Sequence, residues 1–359
     1  MEGKEREVTP EPTALLSPGG TFGDYVVVKE LGEGGMGAVY LVRDPGSSAE
    51  LVVKVMHPSI GTRDFERRFI REAEIAMRIE HPNLVKVYEV GRDPETGLAF
   101  MVMDYASGGS LRDRISEKLL AGERFSCREA LDVVRGIAGA LEAVSEAGAV
   151  HRDVKPDNIL FDAAGEPVLA DLGVAKVESE MSTVLTMSNV IVGTPSYMAP
   201  EHLLDSHSAD CRADIYSLGI VLWEMLAGER PNADATQAEI MARAVRGERI
   251  PDIRTMRPKT PRYGVELLQR MCDPRPERRF STPIEVVRFL DDWRIIQERR
   301  FRAFLAWTLS ATAAVLAAVV ALGVWWIRED RMRPAETPPA AEGGGDAPEA
   351  EFSIPNGVE

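Results

Sequence analysis

No stretch constrains this chain more than Val150-His151-Arg152-Asp153-Val154-Lys155-Pro156-Asp157-Asn158-Ile159-Leu160. Val150 at one end and Ile159 and Leu160 at the other read as short buried strands. Between them sit two acids, Asp153 and Asp157, a histidine, the bases Arg152 and Lys155, and an amide. Pro156 blocks helix continuation and stiffens the loop. A charged loop on a rigid apolar base is where reactive side chains tend to sit. The bland alternative is a solvated turn with a chance cluster of charge. Several fixed residues at fixed spacing count against it.

Bulk properties narrow what surrounds this loop. A chain of 359 residues holds one large two-lobed domain or two ordinary ones. A net charge of −15 and a pI of about 5.0 argue against a general nucleic-acid binder, which would carry a basic domain. Cys127, Cys211 and Cys272 lie far apart with no C-x-x-C pair. That pattern suits reduced thiols better than disulfides or a zinc site. The five histidines show no ligand spacing, and there is no internal repeat.

The loop fits H-R-D-x-K-x-x-N and resembles the catalytic loop of protein kinases. Lys155 resembles the serine/threonine branch. The chemistry is compatible: a carboxylate can accept a hydroxyl proton, a lysine can neutralise a transferring phosphoryl group, and an amide oxygen can ligate Mg²⁺. The resemblance gives these roles to Asp153, Lys155 and Asn158.

The first 21 residues read as a disordered leader with no apolar run for a signal peptide. Tyr25-Val26-Val27-Val28 reads as a strand, followed by Leu31-Gly32-Glu33-Gly34-Gly35-Met36-Gly37-Ala38-Val39-Tyr40. G-x-G-x-x-G alone is weak, but strand-like residues follow it here, so the segment reads as a hairpin. A glycine hairpin lets backbone N–H groups approach phosphate oxygens. It resembles the kinase glycine-rich loop, with Val39 at its valine position. Lys54 lies inside the apolar strand Leu51-Val52-Val53-Lys54-Val55-Met56, where a lysine is costly unless paired. By resemblance it holds phosphates, and Val52 replaces the family's usual alanine against adenine. Residues 64–79 read as a helix with Phe65, Phe69, Ala73, Ala76 and Ile79 on one face. The resemblance places the partner of Lys54 there, at Glu72, with Glu74 as competitor. Leu84–Val90 and Leu98–Met103 flank a polar turn and read as a hairpin. By resemblance alone, Met103 is the gatekeeper, and backbone groups of Asp104 and Ala106 bind adenine.

Ser126 is the expected N-cap of a helix of about twenty residues that Gly148 ends. Pro167-Val168-Leu169-Ala170 reads as a strand delivering Asp171-Leu172-Gly173. This resembles the family's D-F-G with leucine for phenylalanine, and implies Asp171 as a metal ligand beside Asn158. Residues 174–192 have no period and read as a mobile activation segment. Thr186 and Ser188 are its expected phosphorylation sites, and Arg152 offers a guanidinium to an added phosphate. Gly193–Glu201 ends in A-P-E, and Thr194 is implied to contact Asp153 and Lys155. Asp214 opens an apolar helix. The resemblance has it hold the catalytic-loop backbone, against the plainer reading of a first-turn acid. Arg279 is implied to pair with Glu201.

Phe304 to Ile327 carries no charge. As a helix it spans about 36 Å, against a hydrocarbon core of about 30 Å. Trp307, Trp325 and Trp326 sit where interfacial aromatics would. The alternative, a buried core helix, is disfavoured because the run has no polar stripe.

The sequence is thus similar to the bacterial eukaryotic-like serine/threonine kinases. That resemblance implies an α+β bilobal kinase fold over residues 22–292, with an N-lobe of about 22–104 and a C-lobe of about 105–292. A juxtamembrane segment (293–303), a transmembrane helix (304–327) and a disordered extracytoplasmic tail (328–359) follow, with the kinase domain cytoplasmic at the cell membrane. It implies ATP with Mg²⁺ or Mn²⁺, protein substrates with Ser or Thr acceptors, contact with a lipid bilayer, and a second copy for trans-autophosphorylation. Nucleic acid is not expected. The main rival is a pseudokinase scaffold, which normally lacks one of Lys54, Asp153, Asn158 and Asp171; all four are present. A small-molecule phosphotransferase is the other rival, and the A-P-E segment argues against it.

Overall fold

The computed structural model describes residues 15–34, 37–57, 63–172, 195–204 and 209–332. The chain divides into two compact units between Ile295 and Ile296. Gly35, Met36, Gly173, Thr186, Ser188 and Thr194 lie outside the described residues.

The first unit opens with six antiparallel strands in the order β1-β2-β3-β4-β6-β5. They are β1 (Thr21–Phe22), β2 (Tyr25–Gly34), β3 (Gly37–Arg43), β4 (Glu50–Met56), β5 (Val87–Arg92) and β6 (Ala99–Asp104). Side chains alternate between the two sheet faces. Val53, Val55, Phe100 and Val102 therefore join Phe22 and Tyr40 in an outer core. Val52, Met56, Met101 and Met103 face the other way, against Phe69, Ala73 and Ala76 of helix α1 (Arg63–Ala76). The same period puts Lys54 on the face of Val52 and Met56.

At the end of the expected leader, Leu15 and Leu16 are packed. Leu16 is buried, and its N–H donates to the Tyr40 hydroxyl at 3.2 Å. The Gly19 N–H donates to the Val27 carbonyl at 2.8 Å. An apolar Leu15-Leu16 pair covers the outer core and gives a buried tyrosine its partner.

The helical part is built on α2 (Leu111–Leu120), α3 (Cys127–Glu146), α4 (Pro200–Leu204), α5 (Cys211–Ala227), α6 (Gln237–Val245) and α7 (Arg262–Met271). Ser126 caps α3 as expected, in a capping box with Glu129 that satisfies N–H groups at both ends of the first turn. From Ile215 to Ala227 α5 carries no charge except Glu224, and a helix so largely apolar packs at the centre. Ile215, Leu218, Ile220, Leu222 and Met225 are all at most 1% exposed. Gly228, in the left-handed region at φ 86°, ends it.

The last helix is α8 (Pro283–Met332). Within the first unit, Val286 and Leu290 enter the helical core, while Arg135 grips Asp291 through two hydrogen bonds of 2.7 and 3.1 Å. In the second unit, Phe304–Glu329 contains an 18-residue stretch with a mean hydropathy of 2.1, none of it buried in protein. It is long and apolar enough to cross a membrane.

Candidate active site

A two-stranded ribbon frames the site. β7 (Ile159–Phe161) leaves the 150–158 loop, and β8 (Pro167–Leu169) leads to Asp171. The Ala170 N–H donates to the Asn158 carbonyl at 2.8 Å, so the two charged segments are fixed together. His151 is fully buried, and its Nε2 donates to the Ala170 carbonyl at 3.2 Å. That bond fixes the tautomer and leaves Nδ1 to accept the Asp153 N–H at 3.4 Å.

Asp214 arrives from the first turn of α5. Its carboxylate accepts the His151 and Arg152 N–H groups at 2.8 and 2.7 Å. The acid that the sequence left between two readings thus holds the loop backbone. Burial pushes its carboxyl up to about 7, against these two bonds and the Arg152 charge, which favour the anion. Arg152 and Asp171 lie at φ 65° and 57°, unusual for residues with a Cβ. Such strain persists only where surrounding bonds over-determine the backbone.

The Asp153 carboxylate accepts Lys155 Nζ at 3.2 and 3.1 Å and Asn158 Nδ2 at 2.7 Å. Asn158 Nδ2 also donates to the Asp153 carbonyl at 2.8 Å. The amide oxygen of Asn158 accepts no bond from a described residue. Across the cleft, Lys54 Nζ donates to Asp171 Oδ1 at 2.6 Å. The sequence placed the lysine's partner at Glu72. The structure puts Lys54 on Asp171 and Glu72 on the buried face of α1, with Glu74 exposed.

One apolar cluster contains Val52 and Met103, with Val39, Ala106, Leu160 and Leu172 packed against it. Leu31 and Glu33 are exposed above it. The Asp104 N–H donates to the Lys86 carbonyl at 3.0 Å, so an adenine contact at Asp104 falls to its carbonyl. A Cβ on Gly37 would stand 2.0 Å from the Val55 carbonyl oxygen, so the protein's own backbone demands that glycine. Gly32 has nothing within 4 Å and Gly34 only the Gly37 carbonyl at 4.0 Å. These two leave open room that suits a phosphate.

A buried anchor lies farther from the cleft. Arg279, its side chain fully buried, makes a bidentate pair with Glu201 at 2.6 and 2.8 Å. It also donates to the carbonyls of Asp273 at 2.7 Å and Arg212 at 2.8 Å.

Sequence reasoning missed one network. Arg112 of α2 donates to Glu224 Oε1 at 2.6 Å, to the Tyr197 hydroxyl at 2.5 Å and to Asp157 at 3.4 Å. Tyr197 in turn donates to Glu224 Oε2. Burial works against the Arg112 charge, but Glu224 and Tyr197 outweigh it and hold the guanidinium protonated. A signal existed: Glu224 is the one charge in the apolar Ile215–Ala227 part of α5, and such an acid demands a cation.

Residues 25–288 match the family model described as the protein kinase domain. The chain is 35% identical over 274 residues to the probable serine/threonine-protein kinase pknA2 of Bifidobacterium longum, covering 74% of this chain and 34% of that protein. It is 30% identical over 283 residues to serine/threonine-protein kinase PrkC of Bacillus subtilis, covering 78% and 42%. The chain therefore spans well under half the length of these relatives. The crystal structure of the Mycobacterium tuberculosis PknI kinase domain superposes with a TM-score of 0.60 at 29% identity, over 77% of this chain and 98% of that one. With the bilobal fold and the charged loop of Asp153 and Asn158 facing Lys54 and Asp171, these matches show that the chain belongs to the protein kinase family, among the bacterial serine/threonine kinases.

Proposed function

We propose that the protein transfers the ATP γ-phosphoryl group to Ser or Thr hydroxyls of proteins. The observation that carries this is the Asp153 carboxylate held between Lys155 and Asn158, opposite the Lys54–Asp171 pair. Asp153 orients the acceptor hydroxyl and takes its proton as the new phosphorus–oxygen bond forms and the bond to the ADP oxygen breaks. Lys155 neutralises the transferring group, and Lys54 with the glycine-loop amides holds the phosphates. Asn158 Oδ1 and the Asp171 carboxylate are hard oxygen donors suited to Mg²⁺ or Mn²⁺. Such an ion, when bound, supplies charge neutralisation on the phosphates.

The test is transfer of labelled phosphate by the full chain, beside Asp153→Asn. Transfer to Ser or Thr lost in the variant supports the reading. Equal labelling in both proteins removes it and favours the pseudokinase scaffold.

The apolar 304–327 run supports a membrane anchor with the kinase domain in the cytoplasm, where ATP is. Full-length protein should sediment with membranes and resist salt extraction, and protease outside intact cells should reach only the tail. Soluble full-length protein overturns the anchor. Regulation by phosphate on Thr186 or Ser188, delivered by a second copy and read by Arg152, is part of the same proposal. Its check is protein-substrate turnover of Thr186→Ala/Ser188→Ala, which should fall below that of phosphorylated wild type.

A further inference from the structure

The proposed chemistry leaves one cleft unused. Met198, Pro200 and Leu203 form one wall, and Pro231 and Ile240 are among the residues that close the other. It is tied to the catalytic loop, because Arg112 donates both to the Tyr197 hydroxyl at 2.5 Å and to Asp157 at 3.4 Å. A polypeptide whose hydroxyl reaches Asp153 therefore passes close by.

The charge around this cleft is not what a net charge of −15 would lead one to expect. Arg230 Nη1 donates to the Ser196 hydroxyl, on the cleft wall, at 2.6 Å, and makes no ion pair among the described residues. Arg243 of α6, which lines the cleft, donates to the neutral Asn232 Oδ1 at 3.0 Å. Its carboxylate neighbour Glu248 stands off at 4.0 Å and is held by Arg246 at 2.5 Å. The Arg243 side chain is 43% exposed. Arg249, also on the lining, is committed to Asp273 at 2.5 Å. Two guanidiniums thus keep donors to spare beside a groove of mixed lining, in which Met198, Leu203 and Ile240 are apolar and Glu248, held by Arg246, is the acid. A guanidinium offers five N–H groups in a fork that matches a carboxylate.

We propose that this cleft selects acidic protein segments, an aliphatic side chain filling the groove while a neighbouring Asp or Glu meets Arg243 and Arg230. The proposal rests on the kinase reading above and names its substrate class. An acidic protein repels acidic partners at a distance, so a local basic rim is what permits them to dock.

The test uses the full-length protein, labelled ATP and three peptides of equal length. Each carries one Ser and one Leu, flanked by Asp and Glu, by Gln, or by Lys and Arg. The expected kcat/KM on the acidic peptide exceeds that on the basic one by about tenfold. Arg243→Glu lowers the acidic value and raises the basic one by about fivefold each, and the gain shows that the variant is folded. Arg254→Glu, exposed and off the cleft, keeps the wild-type ratio. Equal rates on acidic and basic peptides, or an unchanged ratio in Arg243→Glu, overturns the proposal. No transfer to any peptide overturns the kinase reading and this proposal with it.

Discussion

Lys54–Asp171 in the cleft and Arg279–Glu201 in the helical lobe are both pairs of a base and a carboxylate with closest approaches of 2.6 Å. Their surroundings differ. The cleft pair meets through one Lys54 Nζ to Asp171 Oδ1 bond, and its side chains are 19% and 36% exposed. The anchor has an arginine with no exposure, two bonds to its glutamate and further bonds to backbone carbonyls. A partly wet ion pair can be exchanged for a phosphate or a metal ion at small cost. A buried, fully bonded pair cannot be opened without stranding a charge. The first suits a working part and the second a fixed joint.

The sharpest way to break the comparison is at the working end. Lys54→Met should lower phosphoryl transfer by about a thousandfold or more while leaving thermal unfolding close to wild type, because its phosphate contacts count most in the transition state. Undiminished turnover in the folded variant would sink the nucleotide-site assignment. Arg279→Met should do the reverse and act on stability. Leaving Glu201 without its cation costs about 3–5 kcal/mol, read as a fall in denaturation midpoint. A midpoint unchanged within error would mean that the anchor is no joint.

Tyr197→Phe tests the network between these extremes. It removes one hydroxyl from a buried set that keeps the Arg112–Glu224 pair, so about 1–2 kcal/mol is expected. Protein-substrate KM should rise more than ATP KM, because Tyr197 borders the cleft wall and not the glycine loop.

The smallest effect is expected at Asp291, whose pair with Arg135 is half exposed. Arg135 holds the Asp291 carboxyl below its ordinary value. A lowered carboxyl contributes stability above its unfolded pKa, lost as the pH falls through the folded one. Asp291→Asn should therefore cost about 0.5 kcal/mol at pH 7 and nothing once the pH lies below that lowered value. An equal cost at both pH values would assign the effect to packing instead.

The charged loop of the proposed active site was legible in the sequence, because Asp153, Lys155 and Asn158 lie within six residues and their spacing survives any fold. The apolar run that follows Asp214 in α5 was legible too, since few polar residues interrupt it. The capped start of α3 was legible for the same reason: a Ser with Glu three residues on satisfies its own first turn. Which partner each distant charge takes was settled by the closed fold. Lys54 and Asp171 are 117 residues apart, and Arg112 and Glu224 are 112 apart. No local pattern can rank the partners available over such separations. The ordered Leu15–Gly20 segment belongs to the same class, because its value lies in covering Tyr40 and Phe22 on strands that follow it. Local spacing fixes chemistry and helix ends. Pairing across the fold depends on which groups the packing deprives of water, and that is known only once the chain is closed.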